Sequence, residues 1–335
     1  MKRKKILVTG GTGYIGSHTV VELIKENFDV TIVDNLVNSK REVLPEIRKI
    51  AGRRARFFEV DLLEKNKLRK IFRLGNYDAV IHFAGLKAVA ESVEKPLKYY
   101  GNNIVGTINL IEVMQEFNVK KLIFSSSATV YGEREETSLI ETMTTGAGIT
   151  NPYGKTKYMI EEIIKDTAKA DKEFSATILR YFNPIGAHKS GLIGENPNDK
   201  PNNLMPVIMK VADGSLPYLN VYGTDYGTRD GSCVRDFIHV VDLAKGHIAA
   251  LNHLETGVKT YNLGTGNGTS VLELIAAFEN ISKEKLNVKY TGRRAGDLPE
   301  IVANAEKAKR ELGWEAKLTI EDAIEDTLRY IKNRN

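Results

Sequence analysis

Short apolar runs alternate along the chain with longer stretches in which apolar residues recur at helical spacing. The alternation opens with a strand over residues 5–9, a helix over 15–26 and a strand over 30–33. Further runs of strand length stand at 57–60, 79–83, 121–125 and 177–180, and helices are predicted around 97–117 and 153–170. Repeated strand-helix order predicts a parallel sheet covered on both faces, hence an α/β fold with a doubly wound, Rossmann-type sheet. After Asn183-Pro184 the rhythm breaks into turn-forming sequence with Gly186, Gly191, Gly194, Pro197, Pro201 and Pro206 before apolar periodicity returns. The expected division is a first domain over residues 1–183, with strand and helix contributions from about 236–270, and a smaller C-terminal substrate lobe over 184–335.

Composition narrows this little. A chain of 335 residues that is 42% hydrophobic can bury a substantial core. No apolar stretch approaches the roughly 18 residues of a membrane span, so no membrane partner is expected. The 48 basic and 43 acidic residues give +5, too weak and scattered for a nucleic-acid footprint. The single cysteine, Cys233, cannot form an internal disulfide, which predicts a reducing compartment, the cytoplasm. Six histidines show no metal-ligand spacing, so no metal site is expected.

Candidate chemistry begins at Gly10-Gly11-Thr12-Gly13-Tyr14-Ile15-Gly16, between the first strand and the first helix. Glycines there let a pyrophosphate approach backbone N–H groups at a helix N-terminus. An ordinary strand-to-helix turn would look similar, but Asp34 closes the next strand 24 residues after Gly10, where an acid binds a ribose diol. That carboxylate would repel a 2′-phosphate, so NAD is favoured over NADP, with Lys40 and Arg41 nearby as the counter-indication. A second glycine-rich turn, residues 264–268, is read as structural, because Ser270 and Glu273 form a capping box for the helix that follows.

Tyr153 and Lys157 stand four apart on one face of a predicted helix. An ammonium beside a phenol favours the phenolate and would lower its pKa towards working pH. An isolated pair of this kind more commonly marks a solvated helix. Here, however, another strand ends in Ser125-Ser126-Ser127, which places hydroxyls at the same sheet edge as the glycine loop, although a polar turn leading into Val130-Tyr131 accounts for serines equally well.

Taken together, these segments resemble the extended short-chain dehydrogenase/reductases and, more closely, the UDP-galactose 4-epimerases. The resemblance also rests on Asp34-Asn35-Leu36, residues 82–87, Arg180-Tyr181-Phe182-Asn183-Pro184, residues 201–206 and residues 234–240, and it spans nearly the whole chain. It implies a bound NAD, a UDP-sugar substrate and a homodimer built on two helices of the cofactor domain, here 97–117 and 153–170. By the same resemblance Gly10, Gly13 and Gly16 form the pyrophosphate turn, with Tyr14 and Ile15 opening the helix beneath it. Asp34, Asn35 and Ser39 hold the adenosine ribose region, Asp61 and Leu62 flank adenine, and Phe83, Ala84, Gly85 and Lys87 line the cofactor path. Asn102 and Phe182 make further cofactor contacts, and Lys157 bonds the nicotinamide ribose.

The implied chemistry is inversion at C4. Tyr153 as phenolate takes the 4-hydroxyl proton while hydride passes to NAD, Ser127 assists at the same oxygen, and the 4-keto sugar rotates before hydride returns. Arg235 and Arg294 would grip the diphosphate, and Asn183, Asn202, Asn203, Leu204, Tyr222 and Asp297 would contact the substrate, with Tyr222 a stacking surface for uracil or else a core residue. One position departs from the family pattern. Ile301 stands where many bacterial members carry tyrosine, and the smaller side chain predicts turnover of UDP-GlcNAc and UDP-GalNAc, unless Ile301 simply faces the core. Competing expectations are a sugar-nucleotide 4,6-dehydratase, disfavoured because Ala128-Thr129 replaces its acid pair, a dehydrogenase with dissociable NAD, and a non-catalytic NAD-binding sensor.

Overall fold

Ile6, Leu7, Val8 and Thr9 are all buried in the strand Lys5–Thr9, as expected of a parallel strand with helices on both faces. The computed structural model describes residues 3–196, 198, 203–294 and 296–334. Around that strand lies a seven-stranded sheet in the order Gly257–Leu263, Ser175–Tyr181, Lys121–Ser125, Ala79–His82, Lys5–Thr9, Asp29–Asp34 and Arg56–Glu59. All its pairings are parallel.

Side chains alternate between two cores because successive residues of a strand point to opposite faces. Ile6, Val8 and Ile32 pack with Val20, Leu23 and Ile24 of the helix Tyr14–Lys25 and with Leu243 and Ile248 of the helix Val240–Asn252. On the other face Leu7, Val33 and Val80 meet Leu68 and Phe72 of Lys65–Gly75, Leu110 and Met114 of Gly106–Glu116, and Ile160 and Ile164 of Pro152–Ala170. The doubly wound Rossmann-type sheet is thus present.

One predicted element is not a single helix. The segment divides into a four-residue α-helix Pro96–Tyr99, a π-helical stretch Tyr100–Val105 and the α-helix Gly106–Glu116. Asn103 lies in the irregular stretch and its side chain bonds outward, accepting from Leu86 N at 2.8 Å and donating to Leu86 O at 3.0 Å and Thr156 Oγ1 at 3.1 Å. Such insertions concentrate at functional sites.

A smaller sheet carries the sugar-side candidates. Val234–His239 runs antiparallel to Gly268–Ser270 and parallel to Glu300–Ala303, which sets Arg235 opposite Ile301. Its second half pairs with Asn183–Ile185, beside the end of the large sheet. Asp236 ties these parts together. Its buried carboxylate accepts from Thr265 N and Oγ1, both at 2.8 Å, from Gly266 N at 3.0 Å and from Ala303 N at 3.2 Å. The amides of the second glycine-rich turn therefore point at an internal anion, and the capping box of Ser270 and Glu273 follows. Removing the carboxylate takes the acceptor from three backbone donors, of which Ala303 N is buried and Thr265 N and Gly266 N are part of the turn above it. Asp236→Ala is expected to destabilise the fold by about 3 kcal/mol, read as a lower urea midpoint; a wild-type midpoint would show those donors to be satisfied another way.

Candidate functional site

The strands Lys5–Thr9 and Ala79–His82 are neighbours whose connections leave to opposite faces, which opens a crevice at their carboxyl ends. Two backbone loops meet there at a distance only glycine permits. Gly10 has φ +69°, and a Cβ on it would stand 2.7 Å from Ala84 N. A Cβ on Gly16 would stand 2.2 Å from Gly10 O. Gly13 caps the helix Tyr14–Lys25 with no side-chain hydrogen bond, and the first turn carries no acid, so its N–H groups are open to an anion.

Beneath these loops runs a cavity of about 870 Å³. Every cofactor candidate lines it, from Gly10, Gly13, Tyr14, Ile15 and Gly16, through Asp34, Asn35, Ser39, Asp61 and Leu62, to Phe83, Ala84, Gly85, Lys87, Asn102 and Phe182, together with Ser127, Tyr153 and Lys157. Asp34 is already held by Leu36 N at 2.9 Å, Ser39 Oγ at 3.2 Å and Thr12 N at 3.1 Å. A carboxylate has about four lone-pair sites, so capacity remains for one further donor such as a ribose hydroxyl. Asn35 donates to Asp61 at 2.8 Å, joining the two loops that would border adenosine. Arg41 is engaged by Glu59 and lies 5.2 Å from the Phe57 ring, while Lys40 lines the cavity. This glycine cradle, the uncapped helix and the acid beyond it fit a dinucleotide.

The strand Lys121–Ser125 delivers the serine run to the same edge. Opposite it, Asn151 accepts from Gly154 N at 2.8 Å and Pro152 fills the first turn, fixing where Pro152–Ala170 begins and so which face holds Tyr153 and Lys157. Ser127 Oγ accepts from Thr129 N at 3.2 Å and Thr129 Oγ1 at 3.0 Å, which leaves its own O–H to donate towards the Tyr153 oxygen. Lys157 Nζ donates to Ser125 O at 2.7 Å and lies 5.9 Å from the Tyr153 ring.

The expected lowering of the tyrosine pKa is not what this geometry gives. Burial, followed by the neighbouring Tyr181, pushes the Tyr153 phenol well up, against a smaller lowering by Ser127. Burial also pulls Lys157 down to about 8, opposed by Glu161. Desolvation outweighs the ammonium because both groups are at least nine-tenths buried.

Of the sugar-side candidates, Asn183 and Asn203 line the cavity. Asn203 donates to Glu195 at 2.8 Å, and Lys87 reaches the same carboxylate at 3.3 Å. Leu204 opens the helix Leu204–Ala212, and Asn202 lies outside the described residues. Tyr222, Arg235, Arg294, Asp297 and Ile301 lie outside the cavity lining. Arg294 donates to Asp297 at 2.8 and 3.1 Å, and Arg235 stands 3.5 Å from it, so both guanidinium groups face a carboxylate of the same chain. Arg294 also lies 5.5 Å over Tyr222, which is 41% exposed and not a core residue. Ile301 is half-buried against the cluster of Val130, Tyr131 and Phe182. Asn103, Tyr181 and Glu195 line the cavity without having been singled out; the Asn102-Asn103 doublet was the available signal for the first.

Comparison with known proteins gives a consistent picture. The chain is 53% identical over 338 residues to the bifunctional UDP-glucose 4-epimerase and UDP-xylose 4-epimerase 1 of Pisum sativum, covering 98% of this chain and 96% of that one. It is 53% identical over 327 residues to the UDP-glucose 4-epimerase of Bacillus subtilis, covering 97% and 96%. Among solved structures, UDP-glucose 4-epimerase from Bifidobacterium longum in complex with NAD+ and UDP superposes with a TM-score of 0.95 at 48% identity over 99% of both chains. The model of the NAD dependent epimerase/dehydratase family matches residues 6–264, and with the dinucleotide crevice and the serine, tyrosine and lysine at its edge it shows that this chain belongs to that family.

Proposed function

We propose that this chain uses NAD to invert the C4 hydroxyl of a UDP-sugar, interconverting UDP-galactose and UDP-glucose through a 4-keto intermediate. The observation that carries this is the meeting of Ser127, Tyr153 and Lys157 at one end of the cavity lined by the glycine loop. When bound, NAD supplies a hydride acceptor that carries a positive charge in its oxidised form. Tyr153 takes the 4-hydroxyl proton and returns it in the reverse step, Ser127 donates to the sugar oxygen, and Lys157 holds positive charge beside the phenol. Arg235 and Arg294 exchange Asp297 for the diphosphate and so anchor the part of the substrate that does not react. This places the enzyme in nucleotide-sugar and galactose metabolism, and the lone buried Cys233 supports a cytoplasmic setting. The test is conversion of UDP-galactose by purified protein without added NAD, with the epimers resolved by chromatography. Conversion supports an epimerase with retained cofactor; none, even with NAD added, sinks it.

Ile301 extends the reading to larger sugars. Isoleucine is shorter than tyrosine and packs against the cluster that includes Phe182, which lines the cavity, so UDP-GalNAc is expected to turn over within about tenfold of the UDP-galactose rate, the scale of a single methylene in a pocket. Activity confined to the unacetylated pair refutes it. For assembly we favour a homodimer across the two helical segments named above, because Leu97 is 83% exposed and Val105, Ile108 and Met159 are exposed apolar side chains on the same segments. Leu97→Glu is expected to halve the mass measured by light scattering at micromolar protein; an unchanged mass places the contact elsewhere.

A further inference from the structure

The three serines at the end of Lys121–Ser125 reach three different partners. Ser125 offers its carbonyl to Lys157 and Ser127 meets Tyr153, but Ser126 turns inward and donates its hydroxyl to Glu161 at 2.6 Å. Glu161 follows Lys157 by four residues and Tyr153 by eight, so all three share one face of their helix. Its side chain is fully buried and bound by Arg180 through Nε at 3.0 Å and Nη2 at 2.6 Å, and Arg180 is itself 3% exposed and stacked 4.8 Å from the Tyr131 ring. Stability alone does not explain such a pair, since apolar residues of similar volume commonly serve as well.

We propose that Glu161 is a positioning residue for the triad: with Ser126 it pins the helix bearing Tyr153 and Lys157 to the strand end bearing Ser127, and its charge keeps Lys157 protonated. The inference rests on the reading of Tyr153 and Lys157 given above. Groups around Lys157 come from its own helix and from three neighbouring strands. Tyr153 shares its helix, the Ser125 carbonyl and the Phe124 ring come from the serine strand, and His82, neutral and held between Thr9 and Thr107, comes from the next strand. From Ser175–Tyr181 come Arg180, ion-paired with Glu161, and Tyr181, hydrogen-bonded to Ser125 at 3.1 Å. Among these described neighbours Glu161 is the carboxylate that acts on the ammonium. Without it, an amine 6% exposed sheds its proton more readily.

Glu161→Gln alone would strand the Arg180 charge, so the informative variant is Glu161→Gln with Arg180→Met, set beside Ser126→Ala. In the full chain labelled with 13C-lysine, with Lys157→Met assigning the signal, the Lys157 titration midpoint is expected to fall in the charge-free pair, by less than loss of the carboxylate alone would give because the Arg180 charge leaves with it. The alkaline limb of kcat should move with it at unchanged KM. Ser126→Ala should lower kcat about tenfold at constant KM, with the Lys157 midpoint in place. A wild-type midpoint in a folded charge-free pair, or a lower melting temperature as its sole effect, overturns the charge role, and wild-type kcat in Ser126→Ala overturns the pinning. If the midpoint moves while Tyr153→Phe keeps its turnover, the reading of function falls and the control of Lys157 by Glu161 stands.

Discussion

Tyr153→Phe is expected to lower kcat for UDP-galactose conversion by about 10³-fold, the range of a lost general acid-base group, with melting temperature and bound NAD close to wild type. The ring fills the same buried space, since Tyr153 is 8% exposed and the change removes one oxygen that the Ser127 hydroxyl approaches. Geometry makes the loss specific. Lys157 is turned to the Ser125 carbonyl, and Ser127 is saturated as an acceptor by Thr129, so neither is placed to take the sugar proton instead. The measurement is single-turnover epimer conversion at matched protein and NAD content. Turnover within tenfold of wild type would remove Tyr153 from the chemistry.

Lowering the pH from 7 to 5 is expected to weaken the fold by several kcal/mol through buried histidines. Burial holds His18 and His82 down to about 3 and His247 to about 4, so all three are neutral in the folded chain, whereas they titrate near 6.5 when unfolded. The unfolded chain therefore binds more protons below pH 6.5. The contribution of these groups is present above that value and lost as pH falls towards 3–4, at about 1–2 kcal/mol for each ring by pH 5. His18 Nδ1 lies 2.7 Å from Tyr14 O, and the remaining nitrogens of His18 and His247 have no hydrogen-bond partner among the described residues to hold a second proton. Urea midpoints at pH 7 and 5 decide it; coincident midpoints would mean the rings accept protons without leaving the fold.

Much of this was readable from the chain, for identifiable reasons. Parallel strands buried on both faces are unbroken apolar runs, so Lys5–Thr9 and Lys121–Ser125 stand out with their observed ends. The glycine spacing and the Tyr153 to Lys157 interval are local, and local geometry follows spacing. What escaped depends on long-range contact. The π-helical turn at Tyr100–Val105 goes with the bonds of Asn103 to Leu86 and Thr156, 17 and 53 residues away. Likewise, Asp297 meets Arg235 only because Glu300–Ala303 returns beside Val234–His239. The direction of the Tyr153 shift was missed because a neighbouring charge is visible in sequence and the depth of burial is not.

The edge strand Gly257–Leu263 pairs along its whole length with Ser175–Tyr181, although the chain between them carries two strands of the smaller sheet. During synthesis the large sheet therefore cannot close in one pass. A nascent chain that has emerged only to residue 183 exposes the hydrogen-bonding edge of Ser175–Tyr181 and leaves Val20, Leu23 and Ile24 without the helix Val240–Asn252 that packs with them. The nucleotide half of the gene is consequently not a portable module: the residues that complete it leave the ribosome about eighty positions after its last obvious strand.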